Sequence, residues 1–268
     1  MISSSTNNMV KMVTSLHHKK GRLEQKLYIA EGIHLVTEAL KVGAPIRQFF
    51  WTGKLNSNPE GKSLLEILTP QYSGFEVTEA VFSKMSETES PQGILALIDL
   101  PEGESILQLE NFKLGLIIDG LQDPGNVGTI IRTAWAAGLD GLFFTVGSAD
   151  PYQGKVVRAS MGGIFNQKIY PNQQTEALAR AAKNNQIQIV AGYPDAKQPY
   201  FESDFKVPTL LLVGNEGKGV MEEWNNHPIQ KVHIPQPGHA ESLNVSISAG
   251  ILIFEAIRQR LSMNTCKK

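Results

Sequence analysis

The chain has 268 residues, of which 41% are apolar, 19% charged and 7% aromatic. That is ordinary globular composition for about two domains and excludes a collagen, a coiled coil or a wholly disordered chain. A net charge of −1 excludes a broadly basic nucleic-acid coat, and the single cysteine, Cys266, excludes a disulfide framework or a Cys-rich zinc site.

In chain order, the first feature is a basic leader. Lys11, Lys19, Lys20, Arg22 and Lys26 precede residue 27 with only Glu24 opposing them, although residues 1–111 as a whole hold 10 Lys/Arg against 13 Asp/Glu. Such a cluster either sits as a solvated helix end or contacts phosphates, releasing their counterions. The first ten residues, MISSSTNNMV, show no secretory pattern, and no run reaches the ~20 apolar residues of a membrane span. A soluble, cytoplasmic protein is therefore expected. Residues 31–42 (EGIHLVTEALKV) have helical spacing, stopped by Gly43 and Pro45. Residues 46–51 predict a strand, 52–61 a polar loop, 75–77 a strand, 79–85 a helix and 93–98 a buried strand. Together they make a small α/β domain over 1–100, with a polar linker at 101–111.

From residue 112 onward, apolar strands at 114–118, 142–146, 187–191, 209–213 and 232–234 alternate with helical patterns. These helices fall at 126–137, 151–160, 174–184 and about 244–261. Strands alternating with helices predict a parallel sheet covered on both faces. Ligands of such sheets bind outside the carboxyl ends of the strands, so the loops there carry the argument. The loop after 114–118 brings Pro124, Gly125, Asn126 and Gly128 into a helix that carries Arg132. On its own Asn126 reads as a helix cap, and Arg132 as either an anion partner or a surface residue. The loop after 209–213, GNEGKG (214–219), fits neither a Walker loop nor a dinucleotide fingerprint, yet its glycines allow close backbone approach to a ligand. The third loop runs IPQPGHAESLNVS (234–246), where Ser242 and Asn244 read as capping residues. No metal set emerges: the six histidines lack ligand spacing, and only His239 lies in a candidate loop.

Together the loops resemble the SpoU family of RNA 2'-O-ribose methyltransferases in the SPOUT superfamily. The family pattern N-x-G-x-x-x-R is met by Asn126, Gly128 and Arg132, and G-x-E-x-x-G by Gly214, Glu216 and Gly219. The third pattern, I-P-x-x-G-x-x-x-S-L-N-V-S, is met from Ile234 to Ser246, with Gln236 where the family frequently has Met. RASMGG (158–163) is similar to the family's R-A-S-x-G-A, with Gly163 for Ala. Residues 15–40 and 91–98 look like the RNA-binding domain that precedes the catalytic domain in ribosomal-RNA members.

The resemblance implies a C-terminal SPOUT domain (112–268) with a deep trefoil knot, working as a homodimer whose site is completed by the partner's first motif. It implies S-adenosylmethionine held by Val213, Gly214, Gly219, Ile234, Ser242, Leu243 and Asn244. It implies Arg132, Asn126, Glu216, Ser242 and Asn244 as the catalytic set, and RNA contacts at Lys19, Lys20, Arg22 and Arg158. A guanidinium keeps its proton in water at neutral pH. Arg132 is therefore assigned phosphate clamping and hydroxyl orientation, with proton acceptance left open. Ribosomal RNA is the expected substrate. A transfer-RNA enzyme, a non-catalytic RNA-binding module and a nucleotide-dependent transferase using GNEGKG stand as alternatives.

Overall fold

A computed structural model describes residues 1–101, 112–238 and 241–265. The expected linker, His239 and Cys266 lie outside the described residues, apart from Pro101. The elements run α1 (Asn8–Ser15), α2 (Lys19–Gln25), β1 (Leu27–Glu31), α3 (Ile33–Lys41), β2 (Ile46–Trp51) and α4 (Pro59–Leu68). Next come β3 (Ser73–Glu76), α5 (Glu79–Met85), β4 (Ile94–Asp99), β5 (Leu114–Ile118), α6 (Pro124–Ala137) and β6 (Gly141–Thr145). Then follow α7 (Gly154–Ala159), α8 (Gly163–Asn166), β7 (Ile169–Gln173), α9 (Thr175–Asn184) and β8 (Gln188–Gly192). The last are β9 (Gln198–Pro199), β10 (Thr209–Val213), β11 (Ile229–His233) and α10 (Val245–Thr265). No helix among the described residues is long and apolar enough to cross a membrane.

Two compact units result, one from Met1–Glu102 with Tyr152–Asn166, the other from the remainder. The first is a four-stranded sheet ordered β1-β4-β2-β3, antiparallel except between β2 and β3. Leu95 and Leu97 on alternate positions of β4 join Val10 and Val13 of α1 and Val81, Phe82 and Met85 of α5 in one buried cluster. Two expectations are corrected here. Glu31 ends β1 and does not open a helix. Residues 52–61 are not wholly loop, because Asn58 Oδ1 accepts from the N–H groups of Glu60 (2.9 Å) and Gly61 (3.3 Å) and starts α4, with Pro59 in its first turn.

The segment Tyr152–Asn166 lies within residues 112–268 of the sequence and groups by contacts with the first unit. Tyr152 is buried, with its ring 5.1 Å from that of Tyr28. Burial, with the Tyr152 phenol beside it, holds the Tyr28 phenol well above its usual pKa. Arg158 on α7 pairs with Glu87 (3.6 Å) and Glu31 (3.9 Å). Glu31 is buried and also accepts from the hydroxyls of Ser86 (2.5 Å) and Thr88 (2.7 Å).

The second unit is a seven-stranded, wholly parallel sheet ordered β7-β6-β5-β10-β8-β11-β9. The central strands LGLII and TLLLV are buried along their whole length, as a sheet covered on both faces requires. On one face Ile117, Leu210 and Leu212 pack with Leu178 and Ala182 of α9. Elsewhere α10 packs along α6 and against β10. The chain leaves β5 outward through β6 and β7, returns on the other side at β8, and only later inserts β10 beside β5. The order reverses there, so the β5–β10 boundary is the topological switch point.

Candidate functional site

In register, Ile118 pairs with Val213 at the ends of β5 and β10, so the loops that follow leave the sheet side by side. The Asp119 N–H donates to Val213 O (2.9 Å). The fully buried Asp119 carboxylate accepts from the Thr145 hydroxyl (2.8 Å) and the Met221 N–H (2.7 Å). One carboxylate thus ties the ends of β5 and β6 to the far side of the glycine loop.

That loop closes on itself, Asn215 and Gly219 exchanging backbone hydrogen bonds of 2.8 and 2.9 Å. The Asn215 amide donates to Gly120 O (3.0 Å), while its Oδ1 accepts from the Gly217 N–H (2.9 Å) and the Lys218 N–H (3.2 Å). A Cβ on Gly214 would stand 2.2 Å from the Gly219 backbone, so position 214 admits only glycine.

Asp123, not Asn126, caps α6: its Oδ1 accepts from the Asn126 N–H (2.8 Å). The Asn126 side chain is left for the site. Its Nδ2 donates to Glu216 Oε1 (2.8 Å), and its Oδ1 accepts from Asn244 Nδ2 (3.0 Å). Asn244 itself caps α10, its Oδ1 accepting from the Ser246 N–H (2.9 Å), the Ser246 hydroxyl (2.6 Å) and the Ile247 N–H (3.4 Å). The three sequence motifs therefore meet in a single hydrogen-bonded chain, Asn244–Asn126–Glu216.

Beside it opens a cleft of about 420 Å³, within the usual range for small-ligand sites. Val213, Gly214, Gly219, Ile234, Ser242 and Leu243 line it, as does Gln236; Asn244 is not among its lining residues. The loops singled out in the sequence do not include Gly192, which ends β8, or Tyr193 and Pro194, which follow it, yet all three line the cleft. Their signal was present, a Gly-Tyr-Pro turn after an apolar strand. Burial raises the Tyr193 phenol pKa, and the Asp119 and Asp195 carboxylates add to the shift.

Arg132 is exposed and has no hydrogen-bond or ion-pair partner among the described residues. Six residues from Asn126 on α6, it lies about 9 Å along the axis and about 120° around it, so the two side chains leave different faces. Lys19 and Lys20 are exposed. Arg22 is not: 4% accessible, it donates to the carbonyls of Leu16 (2.7 Å), the C-cap of α1, and His17 (3.0 Å), just beyond it. Arg158 is likewise committed to its two carboxylates. Neither matches the expected free phosphate contact. Among the described residues no group of His, Cys, Asp or Glu could hold a metal ion.

Residues 113–254 match the SpoU rRNA Methylase family, and residues 7–96 match the MRM3-like substrate binding domain. The chain belongs to the SpoU rRNA methylase family. It is 34% identical to an uncharacterized tRNA/rRNA methyltransferase of Synechocystis, over 98% of this chain and 96% of that one. It is also 34% identical to the 23S rRNA (guanosine(2553)-2'-O)-methyltransferase RlmP of Bacillus subtilis, over 94% and 97%. Among solved structures, an AdoMet-bound rRNA methyltransferase from Sinorhizobium meliloti superposes with a TM-score of 0.83 at 32% identity, covering 96% of this chain and 97% of that one.

Proposed function

We propose that this protein transfers the methyl group of S-adenosylmethionine to a ribose 2'-hydroxyl of ribosomal RNA, in the cytoplasm where that RNA resides. The observation that carries the reading is the Asn244–Asn126–Glu216 chain at the rim of the switch-point cleft. The cleft suits the cofactor on its own terms. Val213, Val232, Ile234 and Leu252 offer apolar wall to a purine, the glycine loop offers backbone groups, and Gln236 Oε1 is buried without a partner among the described residues. When bound, S-adenosylmethionine supplies a sulfonium methyl, already a strong electrophile. The chain's task is then to hold a weak nucleophile in line and assist loss of its proton. Glu216, fixed through Oε1, keeps Oε2 to accept from the acceptor ribose. Ser242 at the cleft adds a hydroxyl donor or acceptor.

Arg132 clamps the phosphate next to the acceptor ribose, and we read it as acting in the site of a second copy. Its departure from the face of Asn126 supports this reading, as does an exposed apolar stripe on α10, the helix that packs along α6. Ile247 (54% accessible), Phe254 (51%) and Leu261 (61%) recur every seventh residue on α10, with Trp135 of α6 also exposed. The insertion of β10 and β11 among earlier strands, with α10 returning onto α6, supports a trefoil knot. The first unit, with Lys19 and Lys20 on its surface, is read as the part that holds RNA.

The test is methyl transfer from labelled S-adenosylmethionine to 23S rRNA, with the product site mapped as 2'-O-methyl ribose. Arg132→Ala should keep cofactor affinity within about twofold and lose at least 100-fold in turnover, as for removal of a transition-state charge contact. Unchanged turnover would sink the assignment.

A further inference from the structure

Four buried side-chain polar atoms lack a hydrogen-bond partner among the described residues: Thr52 Oγ1, Trp224 Nε1, His233 Nδ1 and Gln236 Oε1. Only Gln236 lines the cleft. A buried carbonyl oxygen without a donor costs stability, and burial inside a ligand cleft points to a donor that arrives with the ligand. Gln236 stands between Pro235 and Pro237. The following proline restricts its backbone to extended conformations, so the carboxamide is presented from a stiff segment.

We propose that Gln236 reads the edge of the cofactor's adenine and makes this enzyme selective for it. The inference rests on the cofactor reading of the cleft given above. The sulfonium end must face the rim where Asn126, Glu216 and Asn244 gather. That leaves the apolar lining residues Val232, Ile234 and Leu252 for the purine. Of the two carboxamides that line the cleft, Asn215 is already hydrogen-bonded within its loop, while Oε1 of Gln236, two residues after Ile234, has no partner among the described residues, so Gln236 is assigned to the base. A carboxamide matches adenine at two points: its oxygen accepts from the N6 amine and its amide donates to N7. An inosine base presents two acceptors at the same positions, O6 and N7, and can satisfy only the amide. The Gln236 oxygen would then stay buried and unpaired, which is the condition under which polar sites discriminate most strongly.

The experiment is calorimetric titration of the full chain with S-adenosylhomocysteine and with S-inosylhomocysteine, comparing wild type, Gln236→Met and Gln236→Glu. Wild type should prefer the adenosyl ligand by roughly tenfold or more, the range of one good bidentate base contact. Gln236→Met, which keeps the side chain's length and removes the unpaired oxygen, should keep its melting temperature. It should bind the adenosyl ligand about fivefold more weakly or worse and lose most of the preference. Gln236→Glu keeps an acceptor for the amine and should retain the preference. Equal preference in wild type and Gln236→Met overturns the inference while leaving the cofactor assignment intact. Failure of wild type to bind either ligand overturns the cofactor assignment, and this inference with it.

Discussion

Asn244 accepts three hydrogen bonds from the start of α10 through its Oδ1, so its Nδ2 can face Asn126 only as a donor. Asn126 must then present Oδ1 to Asn244 and Nδ2 to Glu216, and the polarity of the rim is set from the helix cap outward. Asn126→Asp tests this. An acid in the first turn of α6 suits the helix dipole, so folding should be unharmed or improved by a few tenths of a kcal/mol. The new carboxylate, however, would face Glu216 where a 2.8 Å hydrogen bond stood, and two such groups raise one another's pKa. Methyl transfer should fall at least tenfold at neutral pH. The deficit relative to wild type should shrink as pH drops and one carboxyl gains a proton. A pH-independent deficit would show that charge is not the cause. The identities of these residues were readable in the sequence because asparagine and glutamate sat at fixed offsets from glycines and prolines. Asn126's escape from capping was not, since Asp123 and Asn126 are both good caps and only geometry selects between them. Arg22 was misread for a similar reason. A basic side chain looks the same in a composition whether it meets phosphate or the carbonyls ending a helix.

At the scale of elements, α10 does two jobs. Val245, Ala249, Leu252, Ile253 and Ala256 are buried on one side, while Ile247, Phe254 and Leu261 stand exposed on the other. A helix apolar on both sides implies cover on both. On the homodimer reading, Phe254→Asp should convert the protein to a monomer in analytical ultracentrifugation. It should abolish transfer while leaving the fold, read by circular dichroism, in place. A variant that stays dimeric would place the interface elsewhere. Strands β5 and β10 at the switch point were legible because each is a continuous apolar run, followed by Asp119 and by Gly214. Strand β11 (Ile229–His233) begins earlier than the expected 232–234 because Gln230 and Lys231 interrupt its apolar pattern. Strand β7 was hidden by Pro171, which suits the edge position it occupies. Helix α4 was hidden by the polar run before it, although Leu64 and Leu68 already held helical spacing.

Across the whole molecule, sequence order and spatial grouping part company at Tyr152–Asn166, which lies between β6 and β7 yet belongs to the first unit. Nothing in its composition announces this; it takes the pairing of Tyr152 with Tyr28 and of Arg158 with Glu31 and Glu87 to decide it. Tyr152→Ala removes a buried ring and should destabilise the first unit by about 3 kcal/mol, seen as an earlier urea transition. Cofactor affinity in the second unit should be spared. Loss of both together would mean that the two units do not melt separately.

The cleft is completed only by residues 232–252, among the last stretches to leave a ribosome, whereas the first unit needs nothing beyond residue 166. Long-range parallel pairing of this kind also forms slowly. A growing or broken chain can therefore complete its first unit, with Lys19 and Lys20 displayed, before any methyl-donor cleft exists. On the reading of that unit as the RNA holder, such a fragment would occupy substrate it cannot modify. C-terminal truncation of this enzyme should thus act as an inhibitor of the intact protein in the same cell, not merely as its absence.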